Sequence, residues 1–242
     1  MIFVVSGKLG AGKSFYMADM AKDHLLAGGV VATNMRLHFD KIQELYHRNL
    51  KGWQYVRVDA ADDPHKIPRG DFRGSSAARR VIVILDEALN WFASQGGAKD
   101  DRKASWGEWL RQSDKLGQDV YFVAQNFERA AKWIRELAQV AVNVSAVKHL
   151  TFLRIPIGKM PGLRNLYGVT RYDVQANACI GWTLKHYDDR IKKCYDTAEL
   201  YGFSASDSGY IGSVPRAFSV PFFPFLIPLA LVLLGAFYYA RS

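Results

Sequence analysis

Eight residues near the start constrain this chain more than any others. Gly7-Lys8-Leu9-Gly10-Ala11-Gly12-Lys13-Ser14 satisfies G-x-x-x-x-G-K-[ST]. Ahead of it, Ile2 to Val5 is a short apolar run; behind it, a helix-like pattern extends from Lys13 to about Ala27 and stops at Gly28-Gly29. Strand, glycine-rich loop and helix in that order make a cradle for a diphosphate. The glycines let the backbone wrap so that its N–H groups converge, and the helix N-terminus adds its positive dipole. In such a loop Gly7, Lys8, Leu9, Gly10, Ala11 and Gly12 surround the phosphates. Lys13 reaches the β- and γ-phosphates, and Ser14 ligates Mg²⁺. ATP and Mg²⁺ are therefore the expected cofactors. The plainer alternative is a glycine-rich turn with no ligand, but a chance match to the full pattern in a chain this long is on the order of one in a hundred.

A second segment agrees with the first. Val81 to Leu85 is five apolar residues in a row, the mark of a strand buried on both faces of a parallel sheet, and it ends in Asp86-Glu87. The carboxylate at the end of such a strand holds Mg²⁺ in phosphate-transferring proteins, which assigns Asp86 to the metal. A carboxylate directly after it, Glu87, is placed to act as general base on the attacking water. Val120 to Ala124 reads as a further buried strand, and Gln125 ends it with a side chain suited to sensing the γ-phosphate or orienting water. Gln at a strand end is also common without any such role.

The remaining pattern fits the same architecture. Val30 to Ala32 begins a strand that leaves at Thr33-Asn34, and Tyr55 to Val58 suggests another. Asp59 to Arg80 and Gln95 to Lys103 read as loops, rich in Gly, Pro and charge. Trp106, Trp109, Leu110 and Leu116 fall at helical spacing before Gly117, and Glu128 to Ala138 reads as a helix. Val140–Val147, Thr151–Ile157 and Leu166–Tyr172 suggest strands of mixed pairing. Strands alternating with helices predict an α/β fold with a mostly parallel sheet, in the P-loop NTPase class that inserts an additional strand and carries a catalytic glutamate. Cys179 and Cys194 are too few for a disulfide framework or a four-cysteine zinc site, so they are expected reduced and packed in a cytosolic body.

The charge is distributed unevenly. Over 242 residues, 32 Lys and Arg stand against 23 Asp and Glu, a net +9. Yet Ala217 to Ala240 contains no charge at all and is followed only by Arg241 and Ser242. Twenty or so apolar residues at 1.5 Å rise match the ~30 Å hydrocarbon core of a bilayer. Aromatic residues bracket the run, as interfacial belts do. Pro221, Pro224 and Pro228 confine the regular helix to about Pro228 onward. MIFVVSG lacks the basic start and cleavage site of a signal peptide. The expected organisation is a cytoplasmic P-loop ATPase domain at 1–200, a juxtamembrane linker at 201–216 and a transmembrane helix at 217–240, with the C-terminus periplasmic. The basic balance permits an anionic partner without choosing between nucleic acid and a membrane surface.

Taken together, GKLGAGKS, ATNMRL at 32–37, VILDEALNWF at 83–92, DKLGQDVYFVAQ at 114–125 and YDTAELY at 195–201 resemble the zonular occludens toxin (Zot) family. That family contains the assembly ATPases of filamentous bacteriophages. The resemblance implies a motor in the inner membrane of an infected bacterium that drives virion extrusion. It implies a homo-oligomeric ring, with a hexamer favoured. Its partners would be phage coat proteins, the single-stranded DNA complex and an outer-membrane secretin. It also places Arg135, ten residues after Gln125, where family members have an Arg that reaches a neighbouring subunit's nucleotide. Two departures stand out. The family often has His and Arg at the positions of Gln112 and Asp114, where only the adjacent Lys115 is basic here. Members also usually continue into a periplasmic segment, whereas this sequence stops at Ser242, as a short member or a truncated chain would.

Three other readings compete. A switch ATPase of the partition and cell-division type is suggested by Lys8, five residues before Lys13. Glu87 and the spanning segment argue against it, because those switches bind membranes through an amphipathic helix. A secreted toxin-like effector would need export of a domain that requires ATP. A pure DNA-binding module would need a groove-reading motif, and none is evident.

Overall fold

The structure, a computed structural model, describes residues 1–59, 62–70, 79–87, 101–125, 127, 132–147, 163 and 165–196. Its centre is an eight-stranded sheet. In chain order the strands are β1 (Ile2–Ser6), β2 (Val30–Thr33), β4 (Tyr55–Arg57), β5 (Val81–Asp86), β6 (Gln118–Val123), β7 (Val140–Ala146), β8 (Leu166–Asp173) and β9 (Ala178–His186). They lie in the order β4-β2-β5-β6-β1-β7-β8-β9. The first six are mutually parallel, and β8 and β9 add antiparallel at one edge. Two short strands, β3 (Arg36–Leu37) and β10 (Tyr195–Asp196), pair apart from the main sheet.

Helices cover both faces. On one face α1 (Lys13–Leu26), α2 (Phe39–Tyr46) and α5 (Asp189–Lys192) pack with Ile82, Ile84, Val5 and Val123. On the other, α3 (Asp101–Gln112) and α4 (Lys132–Leu137) pack with Val81, Val83, Leu85 and Val120. The unbroken apolar run of β5 is thus resolved by the two-residue period of a strand: alternate side chains feed opposite layers, so both sets must be apolar. Trp106, Trp109 and Leu110 lie at i, i+3 and i+4 on α3 and are buried. The two indoles meet edge-on with centroids 5.4 Å apart, a favourable quadrupole arrangement.

Most expected elements are present: the strands at residues 2, 30, 55, 81, 120, 140 and 166, the helix from Lys13 ending before Gly28, and the helix ending before Gly117. The α/β class with a mostly parallel sheet is what the residues adopt, and β6 is the strand inserted between β1 and β5. Three features differ. The stretch expected as loop to Lys103 already belongs to α3 from Asp101, because the tryptophan stripe continues helix backward. Strand β9, an exposed edge, and helix α2 are additional to the elements expected from the sequence. The helix expected at 128–138 is present at Lys132–Leu137, and residues 128–131 lie outside the described residues. Cys194 is buried, but Cys179 is exposed on β9 rather than packed, and both are free thiols. The expected strand at 151–157, the linker at 201–216 and the apolar run at 217–240 lie outside the described residues. Among the described residues, no helix is long and apolar enough to cross a membrane.

Candidate functional site

Parallel pairing aligns the ends of three strands. Val5 of β1 pairs with Val123 of β6, and Asp86 of β5 pairs with the same Val123. The phosphate loop, Gln125 and the Asp86-Glu87 pair therefore leave the sheet at one level of its carboxyl edge, where open α/β sheets bind their ligands. Two strand spacings, about 10 Å, separate β1 from β5. The first turn of α1 closes that gap: Ser14 Oγ donates a hydrogen bond to Asp86 Oδ2 at 3.1 Å. Residues 72 positions apart in sequence are thus in contact, as the two motifs require.

The loop is shaped from several sides. Ala11 N donates to Lys8 O at 3.0 Å, closing its turn. A Cβ on Gly7 would run into the carbonyl oxygen of Val144 on β7, so only glycine lets the loop start this close to the neighbouring strand. Gly12 has φ +92, a left-handed conformation that places the first helical residue, Lys13, at the turn. The Lys13 ammonium donates to the carbonyls of Gly7 at 3.0 Å and Lys8 at 3.2 Å, lying back across the loop that it would share with a phosphate. Lys8, Leu9 and Gly10 are exposed at the tip, Leu9 to 66%.

Asp86 is the electrostatic centre. Its pKa is pushed up to about 6, chiefly because burial disfavours the charged form and next because Glu87 is adjacent. The bond from Ser14 and the charge of Lys13 pull the other way without cancelling the rise. A carboxylate held this way, beside a hydroxyl oxygen, suits a small hard cation with oxygen ligands, and the pair fits Mg²⁺. Glu87 is exposed and adopts φ 53, uncommon for a residue with a side chain. It turns the chain sharply as it leaves β5.

A residue that the motifs did not single out holds this corner. Asn34, just past β2, donates through Nδ2 to the Asp86 carbonyl at 2.6 Å and accepts from the Asp86 N–H at 2.7 Å. One side-chain amide thus satisfies both backbone groups of Asp86 where the strand ends. In the sequence Asn34 marks a strand exit and falls within the ATNMRL segment of the family resemblance, with no role assigned to it. Of the other expected site residues, Gln125 is exposed on the carboxyl edge between β1 and β5. Arg135 sits on α4 beside buried Ile134, its Nε buried with no hydrogen-bond partner among the described residues. It forms no hydrogen bond or ion pair with the phosphate loop among the described residues. Gln112 ends α3, and Asp114 is drawn below the usual carboxylate range by its bond with Arg80.

The fold and these contacts can be set beside known proteins. The chain is 28% identical over 215 residues to the Gene 1 protein of Enterobacteria phage I2-2, covering 83% of this chain and 57% of that one. It is 26% identical over 224 residues to the Gene 1 protein of Escherichia phage If1, covering 86% and 62%. The chain therefore spans about three-fifths of the length of these curated relatives. The crystal structure of the N-terminal domain of zonular occludens toxin from Neisseria meningitidis is similar with a TM-score of 0.46 at 16% identity, covering 81% of this chain and 98% of that one. The sequence profile described as Zonular occludens toxin (Zot) matches residues 1–197, most of the 242. The chain belongs to the zonular occludens toxin (Zot) family.

Proposed function

We propose that this chain is a membrane-anchored ATPase motor that drives the assembly of filamentous phage and its extrusion through the host bacterial inner membrane. The observation that carries the chemical part is the 3.1 Å bond from Ser14 to Asp86, which joins the two motifs into one site. The phage relatives and the family support the biological part.

In this reading the backbone of Gly7 to Gly12 and the Lys13 ammonium hold the phosphates of ATP. Ser14 and Asp86 hold Mg²⁺, which when bound neutralises charge on the β- and γ-phosphate oxygens. Glu87 accepts the proton of the attacking water, and Gln125 orients that water. Arg135 reaches the nucleotide of a neighbouring copy, which requires a homo-oligomeric ring, most simply a hexamer. Residues 1–200 work in the cytoplasm, 201–216 link them to the membrane, and 217–240 span it once, leaving the C-terminus periplasmic. Coat proteins, single-stranded phage DNA and an outer-membrane secretin are the partners such a motor serves.

Hydrolysis separates binding from chemistry. Lys13→Ala should abolish productive nucleotide binding. Glu87→Gln should still bind ATP while turnover falls by ~10²–10⁴-fold, the usual contribution of a general base. Wild-type turnover in Glu87→Gln would remove Glu87 from that role. Particle images of the detergent-extracted chain with ATP and Mg²⁺ should show closed rings of about five to seven copies; a dimer would favour the switch ATPase instead.

A further inference from the structure

We infer that Tyr187, just past the antiparallel edge strand and 176 residues from Ala11, is a positioning residue for the phosphate loop. The inference rests on the nucleotide-binding reading of that loop. Tyr187 Oη donates a hydrogen bond to the carbonyl oxygen of Ala11 at 3.1 Å. The carbonyl and N–H of a trans peptide point in opposite directions. Fixing the Ala11 carbonyl on the tyrosine side therefore aims the N–H of Gly12 to the other side, where a loop of this pattern presents its donors to phosphate.

Sterics agree with the hydrogen bond. A Cβ on Gly12 would collide with the Tyr187 hydroxyl, so the glycine and the tyrosine occupy one closely fitted space. The ring itself is held against Phe15 edge-on, with centroids 4.8 Å apart, and against Tyr167 at 4.7 Å. Phe15 is on α1 directly after Ser14, so this aromatic group also packs beneath the helix turn that carries Lys13 and Ser14.

The tyrosine is itself pinned by its neighbours. Its N–H donates to Asn165 O at 2.7 Å. Two residues earlier, Lys185 pairs with Asp19 of α1 at 3.0 Å. One residue later, Asp188 accepts from Tyr46 of α2 at 3.3 Å. The hydroxyl is thus presented to the loop from a segment tied to both α1 and α2. The antiparallel edge contributes to the phosphate cradle without contributing a motif residue.

The test compares two variants that each lose one hydroxyl. In the full chain, Tyr187→Phe keeps the ring packing and removes only the bond to Ala11. The dissociation constant for ADP, measured by titration with a fluorescent analogue, should rise roughly five- to ten-fold, the scale of one hydrogen bond. Tyr46→Phe removes the neighbouring bond to Asp188 and should leave ADP binding within two-fold, roughly, of wild type. In ¹⁵N-glycine-labelled protein without nucleotide, the Gly12 amide resonance should move in Tyr187→Phe and stay in Tyr46→Phe. Unchanged ADP affinity and an unmoved Gly12 amide in Tyr187→Phe would overturn the inference, as would equal losses in both variants. If the wild-type chain bound no ADP, the nucleotide-binding reading itself would fail, and this inference with it. If only Tyr187→Phe behaved as wild type, that reading would stand and this one would fall.

Discussion

Strands β5 and β9 belong to the same sheet, yet their environments are opposite. The apolar residues Val81 to Leu85 of β5 are at most 8% exposed, with neighbours on both edges and helices on both faces. Strand β9 is an edge strand, and Ile180, Trp182 and Leu184 are 42–56% exposed along it. The first ends in the residues that carry charge at the site; the second ends in a tyrosine that braces the loop. The comparison teaches that this site has two kinds of support. The parallel strands bring the glycine-rich loop and the acidic pair to one level, while the antiparallel edge bonds to the backbone of that loop.

The largest expected effect probes whether the parallel half suffices within one copy. Arg135→Ala should lower ATP turnover by ~10³-fold or more with little loss of binding, as removal of an arginine finger does. Mixing Arg135→Ala with Lys13→Ala subunits should restore part of the activity, because each supplies what its neighbour lacks. Assembled mixed rings that recover none would confine the site to a single copy and leave the parallel half to explain it alone.

Stability should divide the two strands next. Ile84→Ala on β5 empties a fully enclosed position and should cost about 2–5 kcal/mol in urea unfolding. Ile180→Ala on β9, already 56% exposed, should cost about 0.5 kcal/mol or less. Equal costs would mean that β9 is covered in solution and that the contrast drawn between the strands is wrong.

The smallest effect concerns the charge at the end of β5. Asp86 has its pKa raised from 3.8 to about 6 in the folded chain. Across that window the folded state binds the proton more tightly than the unfolded one, so stability falls as pH rises from about 4 to about 6. Above the window the ionised carboxylate costs on the order of 3 kcal/mol. Asp86→Asn should therefore stabilise the nucleotide-free chain at pH 7, flatten its stability between pH values of about 4 and 6, and weaken Mg²⁺–ATP binding. A variant no more stable than wild type at pH 7 would show that Ser14 and Lys13 already compensate the buried charge.

Several parts of this arrangement were legible because local chemistry enforces them. A loop that must approach phosphate through its backbone needs Gly7 and Gly12, and a strand covered on both faces needs Val81 to Leu85 unbroken. Helix ends at Gly28 and Gly117 show for the same reason. Asn34 was not legible: its two bonds to Asp86 span 52 residues, and an Asn after a strand has many uses. Strand β9 alternates Ile180, Trp182 and Leu184 with smaller or polar residues, yet those three apolar side chains are exposed, so its pattern marks no buried face.

The sequence by itself therefore determined the α/β class, the nucleotide motif and the acidic pair, since each is written in neighbouring residues whose spacing has one physical reading. Only the tertiary structure decided that Ser14 reaches Asp86 past β6, that Asn34 bonds both backbone groups of Asp86, and that the Tyr187 hydroxyl meets the Ala11 carbonyl. Those outcomes depend on strand order and on contacts as long as 176 residues, which no local periodicity encodes. They are set when apolar faces choose their neighbours, because burial rewards any partner of the right shape wherever it lies along the chain.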